Sequence, residues 1–168
     1  MTRIGLLSDT HGFIHPGVYN FFKDVHEIWH AGDIGNPGTS EEFSAFKPFR
    51  AVYGNIDGTD IRSHYPETEI FHCEQMKVLM IHIGGYPGKY EKKAIDLIRL
   101  HKPQLFISGH SHILKVLRDE KNELLHVNPG AAGNFGSHRV ITMVRFQVSG
   151  KEISDFEIFE ARRNRNGY

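Results

Sequence analysis

The feature that most restricts the fold of this chain is a series of short apolar segments, each ending in glycine or a polar side chain. Five of them lie in the first two-thirds of the sequence: RIGLLSDTH, EIWHAGD, RAVYGN, KVLMIH and QLFISGHSH. Their hydrophobicity is continuous rather than alternating, which is typical of strands buried on both faces of a sheet. Between them, residues 17–23, 40–46 and 90–100 are predicted to form helices, and Pro103 ends the last one. This alternation predicts βαβ units.

After residue 111 the pattern changes to short strands without helices. The segments HILKVLRD, ELLHV, RVITMVRFQV and EISDFEIFE follow one another, with turn residues such as Ser149-Gly150 between them, and antiparallel pairing is expected there. The two parts together predict an α/β (α+β) fold with two packed sheets and helices outside them. A chain of 168 residues suits one well-filled core, so we expect a single domain over residues 1–168, with 161–168 as a flexible basic tail.

Composition argues against several functional classes. The 20 basic and 20 acidic side chains balance, so no broad positive surface for nucleic acid or anionic membrane is expected, and an anionic substrate must be attracted locally. The single cysteine, Cys73, excludes an intrachain disulfide and a thiolate metal cluster and fits a reducing compartment. The apolar run before Asp9 is too short for a signal-peptide core, and no stretch approaches a membrane span. We therefore expect a cytoplasmic protein.

Each of the five apolar segments is followed directly by a potential metal ligand. In chain order these ligands are Asp9 and His11, Asp33, Asn55, His82, and His110 and His112. Loops at the carboxyl ends of strands in an open α/β sheet converge on one edge, so the ligands are expected to meet there. Residues two apart on an extended segment point the same way, and we therefore expect the members of the first pair, and of the last pair, to converge on one point.

The chemistry of these donors narrows the metal and the reaction. Seven nitrogen and oxygen donors without sulfur are too many for one four-coordinate zinc, but they suit two transition-metal ions that share a bridging carboxylate. Two such ions about 3.5–4 Å apart can bind a phosphate, generate a hydroxide near neutral pH and stabilise charge on the phosphoryl oxygens. We expect manganese, with iron, nickel or zinc as alternatives, because these donors accept all four.

The ordered motifs DTH at residues 9–11, GD at 32–33, GN at 54–55, His82 after a strand, and GHSH at 109–112 resemble those of the calcineurin-like metallophosphoesterase superfamily. The resemblance extends from residue 4 to about residue 130. Within the superfamily the chain is most similar to the small YfcE-type phosphodiesterases, and it is also similar to Vps29. The resemblance implies a four-layer αββα sandwich of two mixed β-sheets flanked by helices. It also implies that one metal is held by Asp9, His11, Asp33 and His112, and that Asp33 bridges to a second held by Asn55, His82 and His110.

The resemblance further implies a metal-activated hydroxide that attacks the phosphorus of a small phosphate ester. The residues expected to act in that reaction are Asp33, Asn55, His82 and His110. Larger phosphatases of the superfamily carry a proton-donating histidine after the Gly-Asn motif, where this chain has Ile56. We therefore expect modest activity, or a substrate whose leaving group needs little protonation. The alternative is a metal-containing, protein-binding scaffold of the Vps29 type with little or no catalysis. A homodimer remains open as an alternative to a monomer.

Overall fold

The computed structural model describes residues 1–164. Within this range the helices are α1 (Gly17–Phe21), α2 (Pro37–Phe46), α3 (Thr59–Arg62) and α4 (Lys92–His101). The strands are β1 (Thr2–Leu7), β2 (Glu27–His30), β3 (Phe49–Ala51), β4 (Thr68–Cys73), β5 (Met76–Ile81), β6 (Gly85–Tyr86), β7 (Lys89–Tyr90), β8 (Leu105–Ile107), β9 (Leu114–Asp119), β10 (Leu124–Pro129), β11 (Val140–Ser149) and β12 (Glu152–Arg162).

The strands form two five-stranded mixed sheets and one small hairpin. The first sheet has the order β12-β11-β1-β2-β3, in which β1, β2 and β3 are parallel and β11 is antiparallel to both of its neighbours. The second has the order β4-β5-β8-β10-β9, in which β5, β8 and β10 are parallel and both edge strands are antiparallel. The predicted fold class is confirmed. The antiparallel pairing expected after residue 111 is confirmed for β9 with β10 and for β11 with β12, and β10 pairs in addition with β8 in parallel.

The hydrophobic core fills three interfaces, one between the two sheets and one between each sheet and its outer helices. In β1, Leu6 faces the second sheet, whereas its neighbour Leu7 packs against Val18 of α1 and Phe43 of α2 on the outer face. On the outer face of the second sheet, α4 packs through residues such as Ile98. Both faces of the central strands are therefore buried, which is why their sequences are continuously apolar. The expected four-layer αββα sandwich is confirmed.

The predicted helices are all present, with shifted ends. Helix α2 begins at Pro37, earlier than expected, because the side chain of Asn36 accepts a hydrogen bond from the backbone N–H of Thr39 at 2.9 Å and caps the helix. Helix α4 begins two residues late, because Tyr90 pairs with Gly85 in the β6–β7 hairpin. The short helix α3 and the edge strand β4 were not predicted.

Strand β12 extends into the first residues of the expected tail. Ala161 and Arg162, which we assigned to a flexible tail, are the last residues of β12 and pair with Ile141 and Val140. Residues 165–168 of the expected tail lie outside the described residues. Along residues 1–164, no helix combines the length and the apolar character needed to cross a membrane.

Candidate metal centre

The carboxyl ends of β1, β2, β3, β5 and β8 bring all seven predicted ligands to one edge of the sandwich. Two groups of side chains there could each hold a metal ion, with the ligand atoms of each group within 4.8 Å of one another. The first group is Asp9, His11 and His112, and the second is Asp33, His82 and His110. Asn55 joins the second group, because its side-chain oxygen lies 3.1 Å from Nε2 of His82 and 3.0 Å from Nδ1 of His110.

Asp33 stands between the two groups. Its Oδ2 lies 3.2 Å from Nε2 of His82 in the second group and 3.4 Å from Nε2 of His11 in the first. Its other oxygen, Oδ1, accepts the backbone N–H of Ile56 at 3.0 Å. One carboxylate oxygen is therefore held by the chain while the other faces imidazoles of both groups, which is the arrangement that a shared ligand requires.

Asp9 is held in the same way. Its Oδ2 accepts the hydroxyl of Ser8 at 2.6 Å and the backbone N–H of His110 at 3.1 Å, while Oδ1 faces Nε2 of His112 at 3.1 Å. Among the described residues, Oδ1 of Asp9 and Nε2 of His11 are buried without a hydrogen-bond partner. Buried polar atoms without partners are costly, and a cation would satisfy both. The residues present therefore fit divalent metal ions.

The two carboxylates are ionised in this setting. Burial favours the neutral form of Asp33, but its contacts with His11 and His82 outweigh burial and hold its pKa well below its usual range. Asp9 is affected in the same way, by burial first and then by its contacts with His11 and His112, with a net lowering of its pKa. The contact with Asp33, followed by that with Asp9, raises the pKa of His11 to about 9. The site therefore contains two buried, negatively charged carboxylates that favour the binding of cations.

The ligand loops adopt a backbone conformation that the sequence did not indicate. Five of the seven predicted ligands have positive φ angles: Asp9 (55°), His11 (48°), Asp33 (57°), His110 (68°) and His112 (61°). Such left-handed conformations cost non-glycine residues about 1–3 kcal/mol each and concentrate at functional sites. The expectation from spacing is met by the first pair, which shares a group, and is wrong for the last pair, which is divided between the two groups as the family resemblance implied.

Two glycines of the motifs make the close approach of the loops possible. A Cβ atom on Gly54 would lie 2.0 Å from Oδ1 of Asp33, and one on Gly109 would lie 2.2 Å from Oγ of Ser8 and 2.9 Å from Oδ2 of Asp9. The glycines before Asn55 and His110 therefore allow the third and fifth strand ends to pack directly on the two carboxylates.

Two buried residues that sequence analysis did not assign to the site connect its loops. Asp57 accepts backbone N–H groups from Gly54 at 2.8 Å, from Gly35 at 2.8 Å and from Ile34 at 3.1 Å. It thereby joins the loop of Asn55 to that of Asp33. His30 lies 2.9 Å from the hydroxyl of Thr10, which donates to the carbonyl of Ile34. Burial lowers the pKa of His30 to about 4, so the ring is a neutral structural partner. Both side chains are polar and buried, and it is this burial, which the sequence did not indicate, that assigns them to the site.

Two further residues, Asn128 and Ile56, lie beside the ligand loops. Asn128 is buried, and its side-chain amide donates to the carbonyl of Gly109 at 3.0 Å and to the hydroxyl of Ser111 at 3.1 Å. It therefore supports the GHSH loop from β10. The side chain of Ile56, at the position of the absent histidine, is 45% exposed. It does not fill an apolar pocket.

An αββα sandwich that gathers carboxylates and imidazoles at the ends of its strands has the architecture of the metallophosphoesterases. The family model of the calcineurin-like phosphoesterase superfamily domain matches residues 2–151, and the chain belongs to this family. It is 31% identical over 137 residues to a probable metallophosphoesterase of Methanothermobacter thermautotrophicus, with 76% of each chain covered. Membership implies divalent metal ions and hydrolysis of phosphate esters.

Solved structures with the same fold include a phosphodiesterase and Vps29. An archaeal phosphodiesterase superposes with a TM-score of 0.72 at 21% identity, covering 94% of this chain and 99% of its own. Vps29 of Chaetomium thermophilum superposes with a TM-score of 0.77 at 14% identity, covering 99% of this chain and 91% of its own. At these identities the likeness shows the fold alone.

Proposed function

We propose that this protein is a phosphodiesterase that uses two divalent metal ions sharing Asp33. The observation that best supports this is the position of Oδ2 of Asp33, which faces Nε2 of His11 at 3.4 Å and Nε2 of His82 at 3.2 Å. One ion would be held by Asp9, His11, Asp33 and His112, and the other by Asp33, Asn55, His82 and His110. Manganese is our proposed ion, with iron, nickel or zinc as alternatives that the same donors accept.

When bound, the two ions would supply Lewis acidity toward the phosphoryl oxygens and an activated water. The chain itself orients the ligands for this. Nδ1 of His82 lies 2.7 Å from the carbonyl oxygen of Ala31, which can only accept, so Nδ1 carries the hydrogen and Nε2 is left to bind a metal. Asn55 and His110 are exposed, whereas Asp9 and Asp33 are buried. A substrate would therefore approach from the side of Asn55 and His110, above the carboxylates.

The surroundings of the site support a diester rather than a monoester. One cavity of about 170 Å³ lies beside His110 and is lined by residues that include Tyr86 and Lys115. A second, of about 400 Å³, lies beside Asn55 and His82 and is lined by residues that include Arg62. A phosphodiester carries two substituents on its phosphorus, and each cavity would have room for one of them.

The position that would hold a proton donor for the leaving group is occupied by Ile56. Ile56 cannot donate a proton, so departure of an alkoxide has to rely on water or on the metal site. A positioned general acid is typically worth about 10²–10⁴-fold. We therefore propose that esters with acidic leaving groups, such as aryl esters, are the better substrates.

The test is hydrolysis of bis-p-nitrophenyl phosphate with added Mn²⁺, followed by addition of EDTA. We expect turnover that depends on the metal and is abolished by the chelator, and slower turnover of the monoester p-nitrophenyl phosphate. The Asp33→Asn variant should lose this turnover. Its matched control is Asp96→Asn, because Asp96 is an exposed helix residue paired with Lys92. A protein that binds two metal ions but hydrolyses neither ester would contradict the proposal and favour a scaffold of the Vps29 type.

A further inference from the structure

A loop outside all the ligand motifs packs against the first ligand group. It spans residues 133–138, between β10 and β11. The backbone N–H of Gly133 donates to the carbonyl of Asp9 at 3.1 Å, and the ring of Phe135 lies 5.3 Å from that of His11. Nδ1 of His138 lies 3.1 Å from Nδ1 of His112. The loop thus contacts all three residues of the group.

The hydrogen bonds of His138 determine which of its nitrogens carries the hydrogen. Its Nε2 lies 2.8 Å from the carbonyl oxygen of Gly133. A carbonyl oxygen can only accept, so Nε2 must carry the hydrogen, and Nδ1 of the neutral ring is left with a lone pair. That lone pair faces Nδ1 of His112. Two ring nitrogens 3.1 Å apart form a hydrogen bond when one of them carries the hydrogen, and here it has to be His112.

We propose that His138 is a positioning residue that holds His112 in the tautomer with its hydrogen on Nδ1. Nε2 of His112, the atom that lies 3.1 Å from Oδ1 of Asp9, is then the one presented to a metal ion. This inference rests on the metal-binding role proposed above for His112.

The neighbouring ligand and the shape of the loop agree with this assignment. The Nδ1–H of His82 is fixed in the same way, by donating to the backbone carbonyl of Ala31. At His112 the acceptor is the side chain of His138. A Cβ atom on Gly136 would lie 2.5 Å from Nδ1 of His112, so the glycine leaves room for the contact between the two imidazoles. Partners of this kind are typically worth about 10–100-fold in metal affinity.

The experiment combines zinc titration with ¹⁵N NMR of the imidazole rings, since Zn²⁺ is diamagnetic. We expect the wild type to bind two Zn²⁺ and His138→Ala to bind one of them about 10–100-fold more weakly. His138→Gln should recover most of the affinity, because its amide can accept from His112 and donate to Gly133. His72→Ala is the control, because His72 is an exposed residue of β4.

The outcomes separate this inference from the proposed function. Wild-type protein that binds no Zn²⁺ would refute the proposed function, and the inference with it. If His138→Ala bound both ions as the wild type does, or if His138→Gln were as weak as His138→Ala, only the inference would be overturned. The NMR spectrum of the zinc-loaded wild type decides the matter even if a variant does not fold: a hydrogen on Nε2 of His112 would contradict the assignment, and a hydrogen on Nδ1 supports it.

Discussion

Replacement of Gly54 by alanine tests whether close packing of the strand ends creates the metal centre. The added Cβ would lie 2.0 Å from Oδ1 and 2.4 Å from the backbone N of Asp33, whereas ordinary carbon contacts begin at about 3.4 Å. Because one of the two atoms belongs to the backbone, rotation of a side chain cannot relieve the clash. The loop of Asp33 has to move by about 1 Å or more, and overpacking of this kind costs about 1–3 kcal/mol.

The expected functional effect is larger than the effect on stability. A displacement of about 1 Å at a catalytic group can cost about 10²-fold in rate, so we expect Gly54→Ala to lose at least that much turnover and to bind metal more weakly. Gly58→Ala is the matched control, because a Cβ on Gly58 meets nothing within 4 Å. It sits at the N-cap of α3 without a side-chain cap, so alanine there should cost less than about 1 kcal/mol and move no ligand.

Both variants are to be compared by Mn²⁺-dependent hydrolysis of bis-p-nitrophenyl phosphate, by metal content and by urea unfolding. The two changes add the same methyl group four positions apart, so a difference in activity reports the contact with Asp33. Equal activity in the two variants would mean that the loop of Asp33 accommodates the extra carbon, and the packing explanation of the Gly-Asn motif would be wrong.

The other predictions concern a ligand, a buried histidine and the absent acid. Asp33→Asn removes the proposed shared carboxylate, so bound metal measured by mass spectrometry should fall and turnover should be lost; two tightly held ions with normal turnover would contradict the bridging role. Burial lowers the pKa of His126 to about 4 from 6.5, so the unfolded chain takes up the proton first as the pH falls. Urea unfolding should therefore show the wild type losing about 2 kcal/mol more than His126→Leu between pH 7 and pH 5, and equal losses would argue against a neutral buried ring. Ile56→His should change the melting temperature little, since Ile56 is 45% exposed, and should accelerate alkyl esters more than aryl esters; a wild-type rate that does not depend on leaving-group pKa would mean that another acid is present.

Much of the fold could be predicted because the signals are local. The five continuous apolar segments of the first two-thirds are the parallel strands β1, β2 and β3 of one sheet and β5 and β8 of the other, and their burial on both faces is what made them continuous. The missed elements lack such a signal. Strand β4 is an edge strand whose Ile70 is exposed, and α3 has only four residues. The parallel placement of β10 depends on its contact with β8, about twenty positions earlier in the chain, which no local pattern records.

The sequence by itself determined which side chains form the candidate centre, because each ligand directly follows the end of an apolar strand and parallel strands end at a common edge. The spacing of the ligands does not show how they divide; the family resemblance implied the division, and the tertiary structure shows the contacts that produce it. His110 and His112 have left-handed rather than extended backbones and join different groups, and nothing in their spacing indicates this. Contacts between distant segments hold such conformations in place, among them the backbone N–H of His11 on the carbonyl of Asp33 at 3.0 Å. Local preference supplies the ligand types, whereas packing of the loops on one another sets the direction in which each ligand points.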